Sequence, residues 1–138
     1  TAGGHIHIGY DNPNDEHSLA LIRALDITLG LGSIVKDRDT RRRSMYGKAG
    51  AYRLKSFGVE YRTLSNFWIF DERNIQWVYD GVQAAVDLVN TEMIYKLEDL
   101  AFGDTVQNAI NSNSRTKANA LLIKINNVIK KETICVDY

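Results

Sequence analysis

The chain has 138 residues, of which 44% are apolar, 17 are Lys or Arg and 17 are Asp or Glu. This is the size of one ordinary domain with one core, and the balance is that of a globular chain rather than a disordered one. Zero net charge gives no reason to expect a nucleic-acid or membrane partner. No uninterrupted apolar run approaches the ~20 residues of a membrane helix, and the lone Cys135 excludes an internal disulfide framework and a Cys-based zinc centre. A reduced, cytoplasmic setting is the expectation. Thr1–Gly4 carries neither the charged start nor the apolar stretch of a secretory signal. The chain opens without Met, directly into a motif-bearing strand, so a fragment or a processed product is expected.

Gly4–Tyr10 alternates as a strand, with His5, His7 and Gly9 on one face and Ile6 and Ile8 facing the core. Asp11–Asn14 is turn chemistry that can cap a helix. The helical pattern runs from Asp15 to about Leu29, with Leu21, Ile22, Leu25 and Leu29 on one face and Gly30 and Gly32 ending it. Residues 36–62 hold nine basic side chains against Asp37, Asp39 and Glu60, so a region of local charge +6 hides inside the neutral total. Its glycines favour loop geometry. At its end Val59–Leu64 alternates as a strand that puts Glu60 and Arg62 on one face. Asp71 to about Leu100 reads as one long helix, Thr105–Asn111 and Arg115–Lys130 as two more, and Glu132–Tyr138 as a short strand. The order predicts an α+β fold, a small antiparallel sheet packed against helices.

Three groupings carry chemistry. His5 and His7 project together, and neutral imidazole ligates divalent ions or, protonated, donates to phosphate. Two histidines on a solvated face can equally be inert, but the flanking Gly3, Gly4 and Gly9 favour close approach of a ligand. Glu60 and Arg62 form either a local ion pair of little worth or a metal ligand beside an oxyanion binder. The basic run Arg41-Arg42-Arg43-Ser44, with Lys48 and Arg53, is a solvated loop, a nucleic-acid contact or a polyphosphate cradle. Gly47–Gly50 lacks the spacing of a P-loop, and Gly30-Leu31-Gly32 is no dinucleotide fingerprint. Cys135 reads as a buried or inert thiol, His17 as a surface residue, and Trp68 and Trp77 as core or interface residues.

In order, Thr1–Gly9, Arg42–Gly50, Tyr52-Arg53 and Gly58–Trp68 resemble the phage-associated COOH–NH2 ligases, or amidoligase type 2 proteins, over roughly residues 1 to 90. The resemblance implies the catalytic fold of glutamine synthetase and glutamate–cysteine ligase, with residues 1–100 the C-terminal part of such a catalytic domain and 101–138 a helical extension of the same compact unit. It implies ATP and Mg²⁺ (or Mn²⁺) as cofactors, and carboxylate and amine substrates, small molecules or peptides, joined through an acyl phosphate. By the same resemblance His5 and Glu60 hold the metal, and His7, Arg43, Lys48 and Arg53 meet the nucleotide phosphates. Arg43 and Arg62 are the catalytic cations, with Arg62 on the substrate carboxylate or acyl phosphate.

A full site of this type also needs an upstream Glu-x-Glu metal strand, and acidic residues are scarce before Glu60. The chain is therefore expected to carry part of the site, to be inactive alone, and to need an upstream half as a missing segment or separate chain. The alternatives are a non-catalytic assembly module derived from such a ligase, forming a homo-oligomer through residues 75–130, and, ranked last, a nucleic-acid-binding module using residues 36–62.

Overall fold

The computed structural model describes residues 2–39, 46–100 and 102–136. Strands β1 (Ile6–Gly9), β2 (Tyr52–Lys55) and β3 (Gly58–Tyr61) form an antiparallel sheet in the order β1-β3-β2. The strands expected around His5 and Glu60 are present, and the β2 strand lies inside the region read as loop. A two-residue turn at Ser56-Phe57 joins β2 to β3. Gly58 follows it at φ +155°, and a Cβ there would run into the carbonyl oxygen of Ile8 on β1.

Behind the sheet runs the core helix. Its start is sharply defined: the Asn14 side chain accepts from the His17 N–H at 2.9 Å, and Asp15 and Glu16 occupy the first turn, where the helix dipole favours them. Helix α1 (Asp15–Leu25) passes through a π-helical segment (Asp26–Gly30) into α2 (Leu31–Lys36). The expected stop at Gly30 and Gly32 is overturned. Gly30 sits at φ −57°, and a Cβ on it would lie 2.8 Å from Ile110 Cδ1 and 2.9 Å from the Tyr61 hydroxyl. A Cβ on Gly32 would lie 2.7 Å from the Trp77 ring. These glycines serve close packing, not termination.

The Asp15–Lys36 helix has 22 residues and holds an 18-residue window of mean hydropathy 1.6, long and apolar enough by length and composition to cross a membrane, which counting uninterrupted apolar runs does not reveal. Of its apolar window, 72% is buried inside the protein, as in a core helix. Leu21, Leu25, Leu29, Leu31 and Ile34 are each at most 1% exposed.

Helix α3 (Glu72–Asn90) packs on α1 and the π segment, and Thr28 Oγ1 donates to the Gly81 carbonyl at 2.8 Å. A 3-10 turn (Asn66–Phe70), capped by Ser65, leads into it. The single long helix expected over 71–100 is broken: Glu92 adopts a left-handed conformation (φ 61°), and α4 (Met93–Asp99) starts afresh. Helices α5 (Phe102–Asn111) and α6 (Arg115–Val136) follow, with α6 packed on α2. The expected C-terminal strand is instead the end of α6 as far as Val136, and residues 137–138 lie outside the described residues. The α+β expectation holds, with a small sheet against a mainly helical body.

The sheet is fixed to the helices through Tyr61, which is fully buried. Its hydroxyl donates to Asp26 Oδ1 at 2.6 Å, and the same oxygen accepts from the Gly50 N–H at 3.0 Å. Asp26 is 2% exposed, so these donors offset the cost of burying a carboxylate. At the far side of the sheet, Gly58→Ala is expected to lower stability by more than about 2 kcal/mol in urea unfolding, because the new methyl group meets a neighbouring backbone oxygen that has no room to yield.

Candidate functional site

Register determines which side chains meet. On the three strands His7, Glu60 and Arg53 stand directly opposite one another. Residues two apart on a strand share a face, so His5, Lys55 and Arg62 project on that side as well, while Ile6, Val59 and Tyr61 pack into the core. Because two of those strands belong to the basic region, the face collects cations around a single carboxylate.

That carboxylate is Glu60, 4% exposed and at the middle of the sheet. Its Oε1 lies 2.8 Å from Arg62 Nη1, 3.0 Å from His5 Nδ1 and 3.8 Å from His7 Nε2, and its Oε2 lies 3.4 Å from Lys55 Nζ. The expected Glu60–Arg62 contact is present, and both histidines of the His-x-His strand reach the same carboxylate. Burial pushes the Glu60 carboxyl up, but the hydrogen bond from Lys55 and the charges of Arg62, Lys55 and His7 outweigh it, so the group titrates below its ordinary value. His7 also stacks on Phe57 with ring centroids 6.1 Å apart.

The backbone that carries the histidines is clamped at its start. The Gly4 N–H donates to the Leu64 carbonyl at 3.0 Å, and Trp68 Nε1 donates to the Gly4 carbonyl at 3.2 Å. A Cβ on Gly4 would overlap the Ser65 carbonyl and the Trp68 indole, which explains a glycine immediately before His5. Trp68 is therefore a half-buried packing residue, as expected of it.

Lys48 stands apart from this cluster. It belongs to a turn at the Arg62 end of the sheet, where the Ala51 N–H donates to the Lys48 carbonyl and the Arg62 N–H to the Ala51 carbonyl. The turn is held by Asn111 through the Ala49 N–H, by Asp26 through the Gly50 N–H, and by Thr63 through the Lys48 carbonyl. The Lys48 side chain is exposed. Arg43, with the rest of Arg41–Arg43, lies outside the described residues, as does the side chain of Cys135.

Sequence reasoning missed Lys55. Its signal was the alternation Tyr52-Arg53-Leu54-Lys55, which puts both cations on one face. The Asp26–Tyr61–Gly50 junction had no such signal, since nothing local distinguishes Asp26 from an exposed helical acid.

Fold and face together define an α+β protein whose one polar sheet surface gathers imidazoles, guanidinium groups and an ammonium about a buried carboxylate. Residues 1–136 match the model of the phage phiEco32-like COOH-NH2 ligase type 2 family, and the chain belongs to that family. The match runs through the C-terminal helices, well beyond the segment of roughly 1 to 90 that the motifs delimit. No curated protein and no solved structure matches the chain.

Glu60→Gln isolates the electrostatics of the cluster. A carboxyl titrating below its ordinary value adds stability that is present above about pH 4.5 and is lost as pH falls through the lowered value. In urea unfolding the wild type is expected to exceed the variant most near neutrality. The difference should shrink as the pH is taken toward about 3; a difference that does not change with pH would contradict the assignment.

Proposed function

We propose that the chain acts in ATP-dependent joining of a carboxylate to an amine, with the His5-His7-Glu60-Arg62 face as its contribution to the active site. One observation carries this reading: a buried carboxylate and two imidazoles share a sheet face with Arg53, Lys55 and Arg62. Family membership supplies the reaction class.

The chemistry has two steps. A carboxylate oxygen of the acid attacks the γ-phosphorus of ATP, and the bond to the bridging oxygen breaks, releasing ADP and leaving an acyl phosphate. The amine nitrogen then attacks the acyl carbon, inorganic phosphate departs with its electron pair, and the nitrogen gives up a proton to leave an amide. The phosphates carry heavy negative charge throughout, and fixed cations that need no reorganisation lower the barrier. Arg53 and His7, opposite one another across Glu60, are set to meet the polyphosphate. Arg62 presents a planar guanidinium to the acid or its acyl phosphate. Lys48, on the turn at the Arg62 end of the sheet, and Arg43 are assigned to the transferring phosphoryl group.

Among the described residues, no three His, Cys, Asp or Glu side chains form a metal cage. Glu60 and His5 fit a divalent cation as a two-donor edge: one carboxylate and one imidazole, 3.0 Å apart on one face. Mg²⁺ commonly takes only one or two protein ligands and completes its shell with phosphate oxygens and water. A bound Mg²⁺ or Mn²⁺ would neutralise phosphate charge at this edge. Among the described residues the face presents a single carboxylate, so we expect the remaining acidic ligands from another segment or chain.

Thermal unfolding with Mg²⁺ and a non-hydrolysable ATP analogue tests the reading. A saturable rise in Tm is expected for the wild type, and its loss in Glu60→Gln and Arg53→Ala. A chain whose Tm ignores nucleotide would leave the assembly-module reading in its place. A rise that survives both substitutions would put the nucleotide elsewhere.

A further inference from the structure

The polar sheet face has two ends. His5 and Arg62 stand at one, His7, Glu60 and Arg53 form the row across the middle, and Gly9, Gly58 and Lys55 form the row at the other. From Arg62 to Gly58 the strand runs about 13 Å, at roughly 3.3 Å per residue. The far row carries little side-chain bulk. Gly9 is exposed, and among the described residues a Cβ on it would meet only Phe57, 3.5 Å from its carbonyl oxygen and 3.7 Å from its ring. The space over Gly9 is therefore open apart from one aromatic wall.

Phe57 sits in the turn between β2 and β3. Its carbonyl accepts from the Tyr10 N–H at 2.9 Å, which fixes the backbone that carries the ring. The ring is not folded into the core. Phe57 is 45% exposed, and its ring lies within 17° of parallel to that of His7, whose side chain is 54% exposed. A lone exposed Phe is ordinary, but this one stands beside the candidate site, nearly parallel to one of its imidazoles and next to bare backbone.

The function proposed above gives the face a direction. Arg62 meets the acid, and His7 and Arg53 meet the polyphosphate. The γ-phosphoryl group of a nucleoside triphosphate must face the acid, so its nucleoside is carried past the His7–Arg53 row, away from Arg62. Phe57 is the exposed aromatic ring at that end. We propose that Phe57, with His7 beside it, is the platform on which the nucleobase stacks, the missing side chain at Gly9 leaving room for a flat ring. This assignment rests on the ligase reading of the face. Stacking uses the π-face that every base presents, so it asks for no polar side chain aimed at the base.

Titration calorimetry of the 138-residue chain with Mg²⁺ and either of two probes separates base from phosphates. One probe is a non-hydrolysable ATP analogue, the other inorganic tripolyphosphate. The wild type is expected to bind the analogue more tightly. Phe57→Ala is expected to weaken the analogue about tenfold and to leave tripolyphosphate unchanged. Phe57→Trp is expected to keep the analogue's affinity, with the added indole fluorescence quenched by the analogue and not by tripolyphosphate. Equal weakening of both probes in Phe57→Ala would make Phe57 a support for His7 alone and overturn the proposal. Analogue binding that survives Phe57→Ala but not Arg53→Ala would overturn it while leaving the proposed function standing. A wild type that binds neither probe would overturn both.

Discussion

One hydrogen bond, from the Tyr61 hydroxyl to Asp26 at 2.6 Å, fixes how the sheet sits on the helices. Tyr61 belongs to the central strand, and Asp26 to the π segment of the core helix. The same carboxylate oxygen receives the Gly50 N–H, so helix, sheet and the turn before β2 meet at one atom. A buried carboxylate needs such donors, and here they come from the central strand and from the turn before β2. Next to Tyr61 on the same strand, Glu60 points the other way. Strand β3 therefore carries a structural contact beneath the sheet and the candidate site above it, one residue apart, and the position of the second follows from that of the first.

The parts of the fold legible in the sequence were those with an uninterrupted period. Leu21, Leu25 and Leu29 announce the core helix, Ala118, Leu121 and Ile125 announce α6, and the alternation around His5 and Glu60 announces two of the strands. The errors came where a residue's usual role was outweighed by packing. Gly30 and Gly32 look like helix stops, yet they are small because Tyr61, Ile110 and Trp77 press against the helix. The tail Glu132–Tyr138 reads as a short strand, yet α6 continues as far as Val136. Strand β2 was concealed by composition: its charges drew attention away from its alternation. The break at Glu92 has no glycine to mark it.

The candidate site divides in the same way. That His5 and His7 share a face, and that Glu60 and Arg62 do, follows from a period of two within single strands. That all four converge, with Lys55 added, depends on strand pairing and register, which no local pattern states. Pairing also explains why one acid is surrounded by so many bases. Two strands from a region of excess positive charge are brought together, and the only anion they present on that face lies at the centre.

The π segment has a further consequence. A π turn amounts to one extra residue in an α-helix, and each residue advances the side chains by about 100°. The core helix thus changes phase midway: before Asp26 its apolar side addresses the sheet and α3, and after Gly30 it addresses α6. One continuous helical stretch changes partners partway along its length. Removal of a single residue from this turn would bring the two halves back into step and swing Leu31 and Ile34 away from the helices they now bury. The length of this segment, more than the identity of any side chain within it, lets one helix serve as the spine for both the sheet and the C-terminal helices.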